Sequence, residues 1–284
     1  MMEYKAYAKI NWSLAITGTR PDGYHTLDML MQTVTLCDRI QIEPSHLLTC
    51  TIAGNDQVPA DDTNLVMKAA AALRERFRVA EGARMHIEKN IPAGAGLGGG
   101  SADAAAALRG LAKLWKLTIK EETLADIGGK LGADVPFCLQ GGLARVSGIG
   151  EKISPLGAGH ALPLVIIWPD AGLSTPAVFR AYDAQTIKQT NPCIDAVQQA
   201  LQQKNLPSLA VSMGNALEEV AVSLLPEIAA CTDALMRKGA VRAMMTGSGS
   251  AVFGLFDSDE KAERAARDCA QLWKHTCLTH TRSA

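Results

Sequence analysis

The stretch Pro92-Ala93-Gly94-Ala95-Gly96-Leu97-Gly98-Gly99-Gly100-Ser101 decides how this 284-residue chain is read. It places five glycines in the seven positions from 94 to 100. A strand-like run, Ala83–Lys89, precedes it, and an alanine- and leucine-rich helical run, Ser101–Lys116, follows it. Without Cβ atoms, the backbone can fold so that successive N–H groups point into one hollow. The helix start behind the loop adds N–H groups that lack intrahelical partners, together with the positive end of its dipole. The Ser101 hydroxyl supplies one more donor. A single glycine reads as a turn, but five between a strand and a helix read as a phosphate cradle.

Three familiar cradles fail on context. Gly94, Gly96 and Gly99 satisfy G-x-G-x-x-G by spacing, yet no second parallel strand with an acidic residue about 20 positions on follows, as a dinucleotide site requires. Only Leu117-Thr118-Ile119 comes after the helix, and Glu121 and Glu122 open another helix. A nucleotide-binding P-loop needs Gly-Lys-Ser/Thr, and here Gly100 holds the lysine position. Neither His-Arg-Asp nor Asp-Phe-Gly occurs downstream, which excludes a protein kinase.

Working outward, short runs rich in Val, Ile and Leu predict strands at Glu3–Ile16, Gln32–Ile42, Leu47–Ala53, Ala83–Lys89, Leu143–Val146, Pro163–Trp168, Val241–Met245 and Ala251–Phe256. Helical spacing predicts a helix capped by Asn64, and others over Glu121–Leu131, Pro192–Gln203, Ala216–Leu224, Pro226–Lys238 and Asp259–Lys274. The order implies an α+β protein in two lobes, with a ligand cleft expected between them and a terminal helix. The boundary falls in the glycine-rich stretch near 150–160, giving expected domains 1–155 and 156–284.

Bulk composition excludes several classes. Hydrophobic content of 48% with 20% charged residues describes a globular chain. With 28 basic and 29 acidic residues the net charge is −1, which points away from nucleic acid and from anionic membranes. The N-terminus lacks a signal layout, and apolar runs such as Leu162–Trp168 are too short to span a bilayer. Seven dispersed cysteines without a Cys-x-x-Cys pair read as reduced thiols of a cytoplasmic protein. Six histidines without ligand spacing argue against a zinc site, so no metal-ligating residue is singled out. The surface pattern is compatible with a monomer or a homodimer.

Pro92 to Ser101 resembles the second signature of the GHMP kinases, named for galactokinase, homoserine kinase, mevalonate kinase and phosphomevalonate kinase. Ala8-Lys9-Ile10-Asn11-Trp12 resembles the first motif of that family, and Met245-Thr246-Gly247-Ser248-Gly249-Ser250-Ala251 its third. Three ordered motifs across the chain are more specific than one loop. The resemblance implies a two-lobed fold, with an N-terminal lobe like ribosomal protein S5 domain 2 and a C-terminal ferredoxin-like lobe. It also implies ATP, held by Pro92, Ala93, Gly94, Ala95, Gly96, Leu97, Gly98, Gly99, Gly100, Ser101 and Ala102, with Mg2+ accompanying the nucleotide. Arg20-Pro21-Asp22-Gly23-Tyr24-His25, Leu131-Gly132-Ala133-Asp134-Val135-Pro136 and Thr175-Pro176-x-x-Phe179 are similar to one branch of the family. That branch phosphorylates the 2-hydroxyl of a cytidine diphosphate polyol on the way to isoprenoid precursors.

Phosphoryl transfer asks for a phosphate cradle, a nearby cation and an acceptor for the hydroxyl proton. Asp134, in a turn after a helix end, is on local sequence a cap or Asx-turn residue as readily as a base. The family pattern makes it the catalytic carboxylate and Lys9 its cationic partner. Lys9 lies within an apolar strand, where it faces either solvent or a buried partner. Asn11 is expected at the polyol, and Tyr24, His25, Thr175 and Phe179 at the cytidine end, with aromatic stacking from Tyr24 and Phe179. Asn64 and Lys89 are secondary candidates near the nucleotide; locally Asn64 reads as a helix cap and Lys89 as a solvated strand end. Two alternatives stay open: another GHMP kinase acting on homoserine or mevalonate, and a non-catalytic nucleotide-binding regulator. The aromatics favour the cytidine branch over the first, and the presence of both Lys9 and Asp134 argues against the second.

Overall fold

A computed structural model describes residues 1–157, 159–186 and 190–282. The chain forms two compact units that interleave in sequence: Met1–Ala8, Leu36–Ala93 and Gly98–Gly141 make the first, and Lys9–Thr35, Gly94–Leu97 and Gly142–Ala284 the second. Two long strands, β1 (Met2–Thr19) and β2 (His25–Ser45), each contribute to both units.

In the first unit, β3 (Leu48–Ala53), α1 (Leu65–Phe77), β4 (Gly82–Glu88), α2 (Gly99–Leu114), α3 (Glu121–Leu131) and α4 (Val135–Gln140) follow in order. Strand β4 pairs antiparallel with the C-terminal half of β2, from Arg39 opposite Glu88 to Ser45 opposite Gly82, and parallel with β3. Ile40, Ile42, Met85 and Ile87 project from these strands into a core closed by Val66 and Leu73 of α1 and Leu108 and Leu111 of α2. Asn64 caps α1 by accepting a hydrogen bond from the Val66 N–H at 2.8 Å, as its sequence position predicts. Helix α2 is apolar on most sides and is buried accordingly. Its alanines allow close approach: a Cβ on Gly110 would meet the side chains of Ile42 and Tyr4.

The second unit contains β5 (Leu143–Gly148), β6 (Lys152–Pro155), β7 (Pro163–Ile167), α5 (Thr175–Asp183), α6 (Ile194–Gln202), α7 (Leu206–Ser212), β8 (Gly214–Asn215), α8 (Glu218–Leu224), α9 (Glu227–Arg237), β9 (Arg242–Met245), β10 (Val252–Leu255), α10 (Asp259–Ala270) and β11 (Thr276–His280). A four-stranded antiparallel sheet runs β11-β7-β10-β9. With helices between β7 and β9 and between β10 and β11, this is the split β-α-β arrangement of a ferredoxin-like lobe. The expected terminal helix ends at Ala270, and the chain continues into β11, an edge strand missing from the sequence reading. The N-terminal half of β2 pairs with β5, which turns back as the hairpin strand β6. Trp12 is fully buried, edge-on to Phe253 at 5.6 Å, and its ring N–H donates to Gln32 Oε1 at 2.8 Å. Among the described residues no helix is long and apolar enough to cross a membrane.

Candidate active site

The glycine loop needs glycine for two separate physical reasons. Gly94, Gly96 and Gly98 have φ of 67°, 79° and 71°, the left-handed region that side chains with a Cβ rarely adopt. At Gly96 and Gly99 the limit is space. A Cβ on Gly96 would strike the Thr246 carbonyl oxygen, and one on Gly99 would meet Ile91 at 2.9 Å. A Cβ on Gly94 would meet nothing within 4 Å, so that part of the backbone stays open to a ligand. Ala95 and Leu97 are the pegs of the loop, buried while Ala93, Gly94 and Gly100 are exposed.

In the second unit the pegged part is tied on both sides. The Leu97 carbonyl accepts from the Lys9 N–H of β1 at 3.0 Å, and the Ala95 carbonyl accepts from the Ala251 N–H at 3.0 Å. The turn from Thr246 to Ser250, between β9 and β10, packs against it, and a Cβ on Gly247 would meet the Gly96 carbonyl oxygen at 2.9 Å and Lys9 Nζ at 3.2 Å. The Asn215 side-chain amide holds that turn by donating to the carbonyls of Met245 at 3.0 Å and Gly247 at 2.8 Å. Glu218 accepts from the Met245 N–H at 2.8 Å, and burial raises its carboxyl above the usual range. Nothing in the local sequence marked Asn215 or Glu218, because their partners lie some 30 residues away.

Lys9 faces the interior rather than solvent. It is 4% exposed, and its ammonium donates to Asn11 Oδ1 at 2.8 Å. The Asn11 backbone N–H donates to Thr246 Oγ1 at 3.0 Å, which in turn reaches Asn11 Oδ1 at 3.3 Å. Asn11 therefore directs its oxygen to Lys9 and Thr246, an arrangement that orients the lysine. The structure thus joins Lys9–Trp12 of the first motif and the third motif to residues Gly94–Leu97 of the second, all within one unit.

Helix α2 starts at Gly99 with Gly98 as a left-handed cap that offers no side chain, and its first turn carries no acidic residue. The N-terminal N–H groups and the dipole are left to attract an anion. In the first unit Ser101 adjoins the Gly132 turn, its Oγ 3.7 Å from where a Gly132 Cβ would stand. Asp134 follows in that turn as the residue before α4, half-buried, and its side chain makes no capping bond to the helix. The turn leads directly into the short helix α4, with Pro136 in its first turn.

The residues expected at the cytidine end gather in the second unit. His25 is buried, and Phe179 of α5 stacks on its ring at 4.8 Å with an interplanar angle of 21°. Tyr182 meets the same ring edge-on at 6.0 Å, and Asp183 Oδ1 lies 2.8 Å from His25 Nε2. Tyr24, by contrast, is 62% exposed at the end of the Pro21-Asp22-Gly23 turn. Thr175 is the first residue of α5, and its hydroxyl shares a 2.7 Å hydrogen bond with that of Ser248. Tyr182 and Asp183 were not foreseen; only the Thr175-Pro176 helix start could have announced a helix carrying Phe179, Tyr182 and Asp183 on successive turns.

Comparison with known proteins follows the same lines. The family description "GHMP kinases N terminal domain" matches residues 64–142, and "GHMP kinases C terminal" matches residues 197–275. A 4-diphosphocytidyl-2-C-methyl-D-erythritol kinase of Caldicellulosiruptor bescii is 43% identical over 99% of this chain and 98% of its own. The chain belongs to the GHMP kinases. A crystal structure described as 4-(cytidine 5'-diphospho)-2C-methyl-D-erythritol kinase superposes with a TM-score of 0.85 at 34% identity, covering both chains fully. A homoserine kinase of Cytophaga hutchinsonii shares the GHMP kinase fold, with a TM-score of 0.73 at 18% identity over 98% of this chain and 95% of the other.

Proposed function

We propose that this chain transfers the terminal phosphoryl group of ATP to the 2-hydroxyl of 4-diphosphocytidyl-2-C-methyl-D-erythritol, in the non-mevalonate route to isoprenoid precursors. The observation that carries the reading is the 43% identity to a kinase of that name over essentially the full length of both chains. We assign residues 1–155 as the ATP-binding domain and 156–284 as the C-terminal domain, working in the cytoplasm as a monomer or homodimer.

The chemistry follows from the residues. Residues Pro92 to Ala102 fit a polyphosphate: the open backbone at Gly94 and the uncapped start of α2 supply N–H donors, and no acidic side chain in the first turn opposes the anion. Mg2+, entering with ATP, would neutralise part of the phosphate charge. Lys9 has the role of a fixed cation for the transferred group, its ammonium held by Asn11. Asp134 has the role of accepting the proton of the acceptor hydroxyl, late in the transfer, when bond formation has acidified it. His25 and Phe179 present a stacked pair of rings for the cytosine, and Tyr24, exposed and next to His25 in sequence, offers a further ring.

An ATP-consumption assay with three acceptors tests the reading: 4-diphosphocytidyl-2-C-methyl-D-erythritol, homoserine and mevalonate. The expected result is turnover with the first alone. Turnover only with homoserine or mevalonate, or with none of the three, overturns it.

A further inference from the structure

We propose that Asp38, Lys89 and Asp103 form a buried clamp that fixes the two ends of the phosphate loop, making them positioning residues for the nucleotide. The proposal rests on the kinase reading for the identity of the ligand, and on the first unit's own geometry for the rest.

Lys89 follows the last residue of β4 and is buried, which corrects its reading as a solvated strand end. Its ammonium donates to Asp38 Oδ2 on β2 and, at 2.6 Å, to Asp103 Oδ2 on α2. The other oxygen of Asp38 accepts from the backbone N–H groups of Asn90 and Ile91, the latter at 2.8 Å. Those two residues are the backbone immediately before Pro92. Asp103 is the fifth residue of α2, and Gly99, its first, lies so close that a Cβ there would stand 3.5 Å from Lys89 Nζ. One set of charges therefore grips the chain on entry to the loop and again on exit.

The arrangement is poorly explained as a device for stability. Burying charges removes them from water, and apolar side chains of the same volume stabilise a core as well or better. Here two carboxylates share one ammonium, and Asp103 Oδ1 is buried with no hydrogen-bond partner among the described residues. Geometry gives it a purpose. A segment this rich in glycine has many conformations to lose, and a nucleotide that had to order it would bind more weakly. With both ends held at fixed separation, fewer conformations remain, and the N–H groups of the loop are set before the phosphates arrive. Asp38, Lys89 and Asp103 touch no substrate in this account; they act through the backbone they hold.

The test titrates the full-length protein with a non-hydrolysable ATP analogue and Mg2+, and measures KM for both substrates. Asp103→Ala releases α2 from the clamp and should weaken nucleotide binding about tenfold, the equivalent of one charge-assisted hydrogen bond. The acceptor KM should stay within twofold. Asp103→Asn keeps an oxygen facing Lys89 and should restore nucleotide binding to near wild type. A purely structural role would lower the melting temperature of Asp103→Ala and leave nucleotide binding within twofold of wild type, and that result overturns the clamp. If Asp103→Ala does not fold, Lys89→Met combined with Asp103→Leu fills the space with apolar atoms. Weakened nucleotide binding in that folded variant supports the clamp, and unchanged binding overturns it. A wild-type protein that binds no nucleotide overturns the kinase reading itself, and is distinguished from failure of the clamp alone by the wild-type titration.

Discussion

The glycine loop and the His25–Phe179 cluster, both assigned to substrate recognition, are built from opposite materials. From Gly94 to Gly98 the working surface is main chain: φ or space forbids a side chain at Gly94, Gly96 and Gly98, and the side chains of Ala95 and Leu97 are buried. Around His25 the working surface is side chain: a ring stacked on Phe179, edged by Tyr182 and anchored by Asp183, from residues about 150 positions apart in sequence. A surface of N–H groups reads charge and suits the phosphates that all these kinases share. A surface of rings reads a base and suits one branch of them. The difference predicts that damage to the first raises the nucleotide KM, and that damage to the second raises only the acceptor KM.

The largest effect should come from neither region. Asp134→Asn should lower kcat by about 10²–10⁴-fold, the range for losing a positioned proton-transfer group, and Lys9→Ala by about 10²–10³-fold, the range for losing one electrostatic donor, while nucleotide titration stays close to wild type. Near-normal turnover in either folded variant removes that residue from the chemistry. Next, Gly96→Ala forces a Cβ onto the Thr246 carbonyl and into a left-handed conformation worth about 1–2 kcal/mol of strain. Nucleotide KM should rise at least tenfold, with acceptor KM unchanged; an equal rise in both would erase the distinction between the regions. Phe179→Ala removes stacking worth roughly 1–3 kcal/mol, so acceptor KM should rise while nucleotide KM does not.

The last effect concerns pH and is read in stability rather than in KM. Burial pushes the Asp103 carboxyl up to about 7, against the opposing pull of Lys89 and with Asp38 adding to the rise; Cys50 of β3 is the other titratable group within its field. The unfolded chain releases that proton near pH 4. Between about 4 and 7 the folded state therefore holds one more proton than the unfolded state, so stability falls as pH rises through this window and levels off above it. Urea midpoints at pH 5.5 and 8 should show this fall in the wild type and lose that contribution in Asp103→Asn. An identical pH profile in both proteins would show that Asp103 does not titrate in this way.

Legibility in the sequence followed the same division. The loop announced itself because a main-chain surface needs glycine, and glycines are visible in a row. Asn64 was legible as a cap for a similar reason, since its partner is two residues away. Lys9 stands out in the sequence as an odd lysine in an apolar strand, but the bonds that tie it through Asn11 to Thr246, 235 residues beyond Asn11, do not. Asp183, Asn215 and Asp38 act through partners 30 to 158 residues distant, and no local pattern encodes such pairings. Asp103 left a faint trace, a lone acid inside an alanine-rich helix that packs on nearly every side. The glycine-rich stretch near residue 155 is visible in the sequence, but the reach of β1 and β2 is not: each contributes residues to both compact units, which therefore interleave along the chain. Strand β11 was missed because Thr276–His280 alternates too weakly to stand out behind a helix.

The position of the new phosphate tests the central claim most directly. In 4-diphosphocytidyl-2-C-methyl-D-erythritol the 2-carbon bears a methyl group and no hydrogen. A phosphomonoester formed there gives a proton-coupled 31P resonance without three-bond splitting. That singlet should appear in step with ADP release from purified wild-type protein. A resonance split by neighbouring protons, or ADP release with no new phosphomonoester on the polyol, would contradict it.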